Sequence, residues 1–141
     1  MADAVSSIIT IATVSLAIIR ETVRYIKEVR LIDKVVDRLR TELKDLHRLI
    51  KVVESTYQRA DYGEHSEPSV FVRRYLTKCR DHLEQVKSCV IELASHNTNT
   101  VYEKLKLKRR SDAVKKDIES ATNEIHRYMR YIRTGIECWN L

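Results

Sequence analysis

Two glycines and one proline serve 141 residues. So few turn formers exclude a chain of many short strands, and with only Gly63 and Gly135 no glycine-rich loop can cradle a phosphate. Neither an HExxH pair nor a nucleophile elbow occurs, so no catalytic residues are expected and no cofactor is implied. The three cysteines, Cys79, Cys89 and Cys138, are odd in number and lack CxxC spacing. They read as reduced thiols in a reducing compartment, with the cytoplasm as the default address. The five histidines are scattered, and only Cys79 with His82 has a spacing that could share a metal. Cys79 falls on an apolar seam, so a buried thiol is the expectation there and no metal site is assigned. A basic leader region is missing before the first apolar run, which argues against a secretory signal, and neither terminus offers a lipidation motif.

What the chain has in abundance is helix-forming sequence with a regular apolar period. Ile32, Val36, Leu39, Leu43, Leu46, Ile50, Val53 and Tyr57 alternate spacings of four and three, the seam of one long amphipathic helix. After the polar stretch 61–68 a second seam runs Val72, Leu76, Cys79, Leu83, Val86, Val90, Leu93, with Pro68 suited to a first helical turn. Thr100 and Glu103 form a capping box ahead of a last seam, Val114, Ile118, Ala121, Ile125, Tyr128, Ile132. Gly135 is expected to loosen the final turn. The early seam Leu16, Ile19, Val23, Ile26 falls out of phase with Ile32, which predicts a bend between Lys27 and Asp33, with Asp33 able to cap. The expected architecture is an all-α, antiparallel four-helix bundle in one domain, with helices at roughly 4–28, 32–59, 68–95 and 101–138. Residues 104–110 are read as an extra short turn or as the early part of the last helix.

The first helix differs from the others. From Ala4 to Ile19 it holds no charge: eleven of those sixteen residues are Ala, Val, Ile or Leu and the rest are Ser or Thr. Such a helix is apolar nearly all round and disposed to leave water, but at about 24 Å it is short of the roughly 30 Å hydrocarbon core. It could be a core helix, a membrane-inserting element, or each in turn. Its small side chains offer few long-range polar locks, so it is expected to be held less firmly than the other three.

Net charge is +6, distributed as +3 over residues 1–60, −1 over 61–100 and +4 over 101–141. The densest patch is Lys104, Lys106, Lys108, Arg109, Arg110, Lys115 and Lys116, opposed only by Asp112. A solvated helix start, an anionic membrane surface and nucleic acid are the readings open to it. Nucleic acid is disfavoured, because no recognition motif accompanies the charge. Arg127, Arg130 and Arg133 with Tyr128 and Tyr131 could likewise touch lipid headgroups or simply face solvent.

Several strings together resemble the HeLo-like N-terminal domain of fungal STAND (NACHT-type) receptors. They are the uncharged N-terminus beginning Met-Ala-Asp, then Tyr25-Ile26-Lys27-Glu28-Val29, then 39–46 (LRTELKDL), and later 104–110 (KLKLKRR) followed by Val114-Lys115-Lys116-Asp117-Ile118. The resemblance implies a cell-death effector that oligomerises with itself and disrupts membranes through its N-terminal helix, in association with fused or separate sensor domains. On that reading the protein is cytoplasmic until activated and then moves to the membrane. Ile8, Ile9, Ile11, Val14, Leu16, Ile18 and Ile19 would be the inserting set, and the 104–116 cations would meet anionic membrane lipids. The alternative is a soluble helical interaction or oligomerisation module, in which the same seams only pack a bundle or pair with a partner's helices.

Overall fold

A computed structural model describes the backbone of residues 4–29, 34–58, 67–95 and 101–139, and the side chains of 8–29, 34–58, 67–95 and 108–138. Four helices account for it: α1 (Ala4–Ile26), α2 (Lys34–Gln58), α3 (Glu67–Ser95) and α4 (Val101–Trp139). Each lies within a few residues of its expected span. Residues 104–110 are the early part of α4 rather than a separate turn. Ile32, Asp33 and Thr100, read above as a seam residue and two caps, lie outside the described residues, as does the side chain of Glu103.

The seams explain the packing. Every described residue named in them from α2 and α4 is buried, as are those of α3 up to Val90, with Leu93 half-buried. Residue pairs set the directions. Thr13 meets Glu54 while Ile19 and Val23 share a groove with Leu43 and His47, so α1 and α2 run antiparallel. Gly135 lies against Val72 while Arg110 reaches Glu92, so α3 and α4 do too. The two hairpins then stack, α1 on α3 and α2 on α4, and among the described residues α1 does not approach α4, nor α2 α3. Each helix therefore occupies a corner with two neighbours and an open outer edge.

α1 is not loosely packed, contrary to the expectation from its composition. Ile8, Ala12 and Ile26 are fully enclosed, and Ile11, Leu16, Ile18 and Ile19 nearly so. Small residues let its backbone come close to α2 and α3 at once, so its buried side chains form a broad stripe rather than a narrow seam. Polar ties from α1 to other helices include the Thr13 hydroxyl to Glu54 at 3.4 Å and the Glu21–Lys87 ion pair at 2.5 Å. That pair lowers the Glu21 pKa and raises that of Lys87, each through the bond to the other. By linkage its contribution is present between the two unperturbed values, and is lost as acid protonates Glu21 or as base neutralises Lys87. α1 ends by tightening, with Glu28 N–H donating to Tyr25 and Val29 N–H to Ile26 at 3.0 and 3.1 Å, i to i−3 bonds that stop the helix without glycine or proline.

The Ser15 hydroxyl is fully enclosed and has no hydrogen-bond partner among the described residues, whereas Thr13 and Thr22 bond back to the carbonyls of Ile9 and Ile18. Ser15→Ala removes a desolvated, unpaired group and improves helix propensity, so the urea midpoint should rise by the equivalent of about 1 kcal/mol with an unchanged m-value. Gly135 does not loosen α4, which continues through it to Trp139. A Cβ there would lie 2.7 Å from Val72 Cγ2 and 3.3 Å from Phe71 Cδ1, so the glycine is what lets α4 close on the start of α3. Gly135→Ala should cost about 1 kcal/mol net, overpacking outweighing the gain in helix propensity. In thermal melts of a double-mutant cycle, Val72→Ala should then be less damaging in the Gly135→Ala background than alone.

Candidate membrane surface and basic groove

The residues expected to insert in a bilayer are mostly turned inward here. Five of the seven, Ile8, Ile11, Leu16, Ile18 and Ile19, belong to the core, Ile9 is half-buried, and Val14 alone is open, at 41% exposure. Around Val14 the outer edge of α1 consists of Thr10, Thr13 and Ala17, all exposed, before Arg20, Glu21 and Arg24 restore charge. From Ile8 to Ile19 α1 therefore meets water through hydroxyls and aliphatic groups only. The outer edge of α2 by contrast presents Asp37, Arg38, Lys44, Arg48 and Lys51.

Of the described cations between 104 and 116, Lys108, Arg109, Lys115 and Lys116 share one side of α4 and Arg110 lies on another. Lys104 and Lys106 belong to the α4 backbone, their side chains lying outside the described residues. Lys108, Arg109 and Lys116 are exposed and Lys115 half-buried, with Asp112 one turn from Lys108 on the same face. Arg110 points the other way and pairs with Glu92 of α3.

A second concentration of positive charge emerges only from the packing. Where α1 crosses α2, a groove of about 330 Å³ is lined by Ile19, Arg20, Val23, Leu43, Lys44, His47 and Arg48. Its floor is aliphatic, its rim is three cations and an imidazole, and no acid lines it. Arg48 reaches Asp45 at 3.7 Å, while Arg20 and Lys44 have no ion pair among the described residues. The sequence does not display this groove, because its cations come from two stretches, Arg20 being more than twenty positions from Lys44 and Arg48; the available signal is the +3 balance of residues 1–60.

An aromatic strip follows the α3/α4 joint. Tyr75 packs on Phe71, Tyr128 and Tyr131 with ring centroids 4.8, 5.7 and 4.7 Å away. His82 lies edge-on to Tyr128, and Lys78 covers both Tyr75 and Tyr128 at 5.4 and 5.7 Å, distances at which cation and ring attract. Burial raises the Tyr128 hydroxyl pKa. Of the arginines singled out beside these tyrosines, Arg127 joins the strip, over the Tyr128 ring at 5.3 Å and paired with Glu124 at 2.5 Å. Arg130 and Arg133 are exposed.

Cys79 and His82 do not form a common site. The Cys79 thiol is enclosed in the core, where burial pushes its pKa up to about 12, and the His82 ring donates its Nδ1–H to the Lys78 carbonyl oxygen at 2.9 Å. No group of three potential metal ligands occurs among the described residues. No family model, curated protein or solved structure matches the chain.

Proposed function

We propose that this chain is a HeLo-like cell-death effector domain, latent as a four-helix bundle and active when α1 leaves the bundle for an anionic membrane on which copies assemble. The observation that carries this reading is the neutrality of α1 on every face up to Ile19, its water-exposed edge included. Taking the outer edge of α2 into lipid would strip several ions of water, at about 2.5–3.5 kcal/mol each for Arg, Lys or Asp at the bilayer centre. α1 has no such charge before Arg20. Its buried isoleucines exchange one apolar surrounding for another, so the hydrophobic gain of folding is largely regained in the bilayer. No helix among the described residues is long and apolar enough to cross a membrane. α1 therefore acts in this account by lying in the interface or inserting as part of an assembly, not as a lone span.

The cations at the start of α4 supply long-range attraction to anionic lipid, weakened by salt. A fused or associated sensor supplies the trigger, and before it the domain is cytoplasmic. Dye release from vesicles tests the proposal: the full chain should empty phosphatidylserine-containing vesicles and spare phosphatidylcholine ones. Failure to release dye from either would remove the membrane reading. The aromatic strip of Phe71, Tyr75 and Tyr131, the last 38% exposed, favours the second reading in that event, a soluble module that docks a partner helix through α3 and α4.

A further inference from the structure

We infer that the α1/α2 groove is a binding site for the phosphate-bearing headgroup of an anionic phospholipid. The inference deepens the membrane reading and rests on it. Three features of the groove converge on this ligand. Its rim brings Arg20 from α1 and Lys44 and Arg48 from α2 around one opening, with His47 beside them and no acid among its lining residues. Two of the three cations have no ion pair among the described residues, and the third has only a long contact to Asp45. Phosphate accepts hydrogen bonds from several cations at once, so cations left without acidic partners around one opening are free to share it. Ile19, Val23 and Leu43 then line the floor with aliphatic surface, suited to the glycerol end of an acyl chain and of no use to a free phosphate ion. The volume, about 330 Å³, fits a headgroup and the first carbons of a lipid.

Position supports the same occupant. Arg20 directly follows the uncharged part of α1, and Ala17 and Thr13 continue the exposed edge away from it. A headgroup held by Arg20, Lys44 and Arg48 would bring that neutral edge to the membrane surface, with charge at the headgroup level and Val14 toward the lipid. The groove thus gives the domain an orientation on the bilayer.

The test is co-sedimentation of the full chain with phosphatidylcholine vesicles containing phosphatidic acid. Two triple variants remove equal charge: Arg20→Gln, Lys44→Gln, Arg48→Gln in the groove, and Lys108→Gln, Arg109→Gln, Lys116→Gln on α4. All six side chains are exposed, so melting temperatures should be nearly unchanged, and Lys44→Arg alone should retain binding. The groove triple should lose about tenfold more affinity than the α4 triple, beyond the loss any three surface charges would give. Glycerol phosphate in solution should not displace the protein from vesicles. Equal losses for the two triples would overturn the site, and full displacement by glycerol phosphate would make it a phosphate site without lipid. If the groove triple still binds and still releases dye, the groove inference fails and the α1 proposal survives. If the unaltered chain neither binds nor leaks, both fail.

Discussion

Replacing Ile11 by Glu is expected to unfold the domain, while the same change three residues on, at Val14, is expected to leave it folded. The sequence alone does not separate the two positions, because both sit in the uncharged stretch. The fold separates them. Ile11 is 8% exposed and packed in the core, so a carboxylate there loses its hydration with no partner, at a cost of several kcal/mol against a typical total stability of about 5–15. Val14 is open to water, and a surface charge changes stability by no more than about 0.5 kcal/mol. Circular dichroism and urea titration should show Val14→Glu melting like the unaltered chain. Its vesicle leakage should nevertheless be lost, since a charge near the centre of the neutral helix blocks entry to lipid at about 2.5–3.5 kcal/mol. A folded Val14→Glu that still empties vesicles would separate α1 from the membrane activity.

Removing residues 1–19 is expected to abolish cooperative folding of the remainder. The deletion takes away Ile8, Ile11, Leu16, Ile18 and Ile19 and exposes the faces of α2 and α3 that cover them. At about 1.5–3 kcal/mol per buried aliphatic side chain the loss is roughly 8–15 kcal/mol, an upper bound that still matches the stability of a whole domain. The truncated chain should bind a hydrophobic dye and melt without a sharp transition, and a two-state melt would mean that α1 contributes far less than its burial indicates. The same figure bears on activation. α1 does not open spontaneously to any useful extent in water, so release requires a compensating apolar surface, a bilayer or other copies, to replace what the bundle provides.

The architecture was legible because α2, α3 and α4 announce themselves by seam. Val36 to Tyr57, Val72 to Val90 and Val114 to Ile132 are buried at the positions their spacing requires, as expected where one face of a helix meets one core. α1 was harder to place. Its residues are apolar on all sides, so periodicity could not say which face turns inward, and its composition suggested a loose hold where small residues in fact permit a close one. Gly135 was misread for a related reason: near a helix end glycine usually marks the stop, but here the approach of Val72 requires it, and that neighbour is more than sixty positions away in sequence. The candidate sites divide in the same manner. The run of cations before Lys116 is visible as a string. The groove of Arg20, Lys44 and Arg48 exists only once α1 and α2 are laid side by side, and the aromatic strip requires the pairing of α3 with α4.

Exchange of α1 between the bundle and the bilayer can be followed with a fluorophore on α1 and quenchers in lipid. Val14→Cys, in a chain with Cys89 and Cys138 changed to Ser, offers an exposed thiol for an environment-sensitive dye, while Cys79 stays enclosed and unreactive. With anionic vesicles carrying doxyl groups along the acyl chains, the emission should shift to the blue and be quenched most strongly by groups below the headgroup level, with no change on neutral vesicles. Emission that stays water-like and unquenched on vesicles the protein demonstrably binds would contradict the exchange, leaving α1 as a structural corner of a bundle that meets membranes by another face.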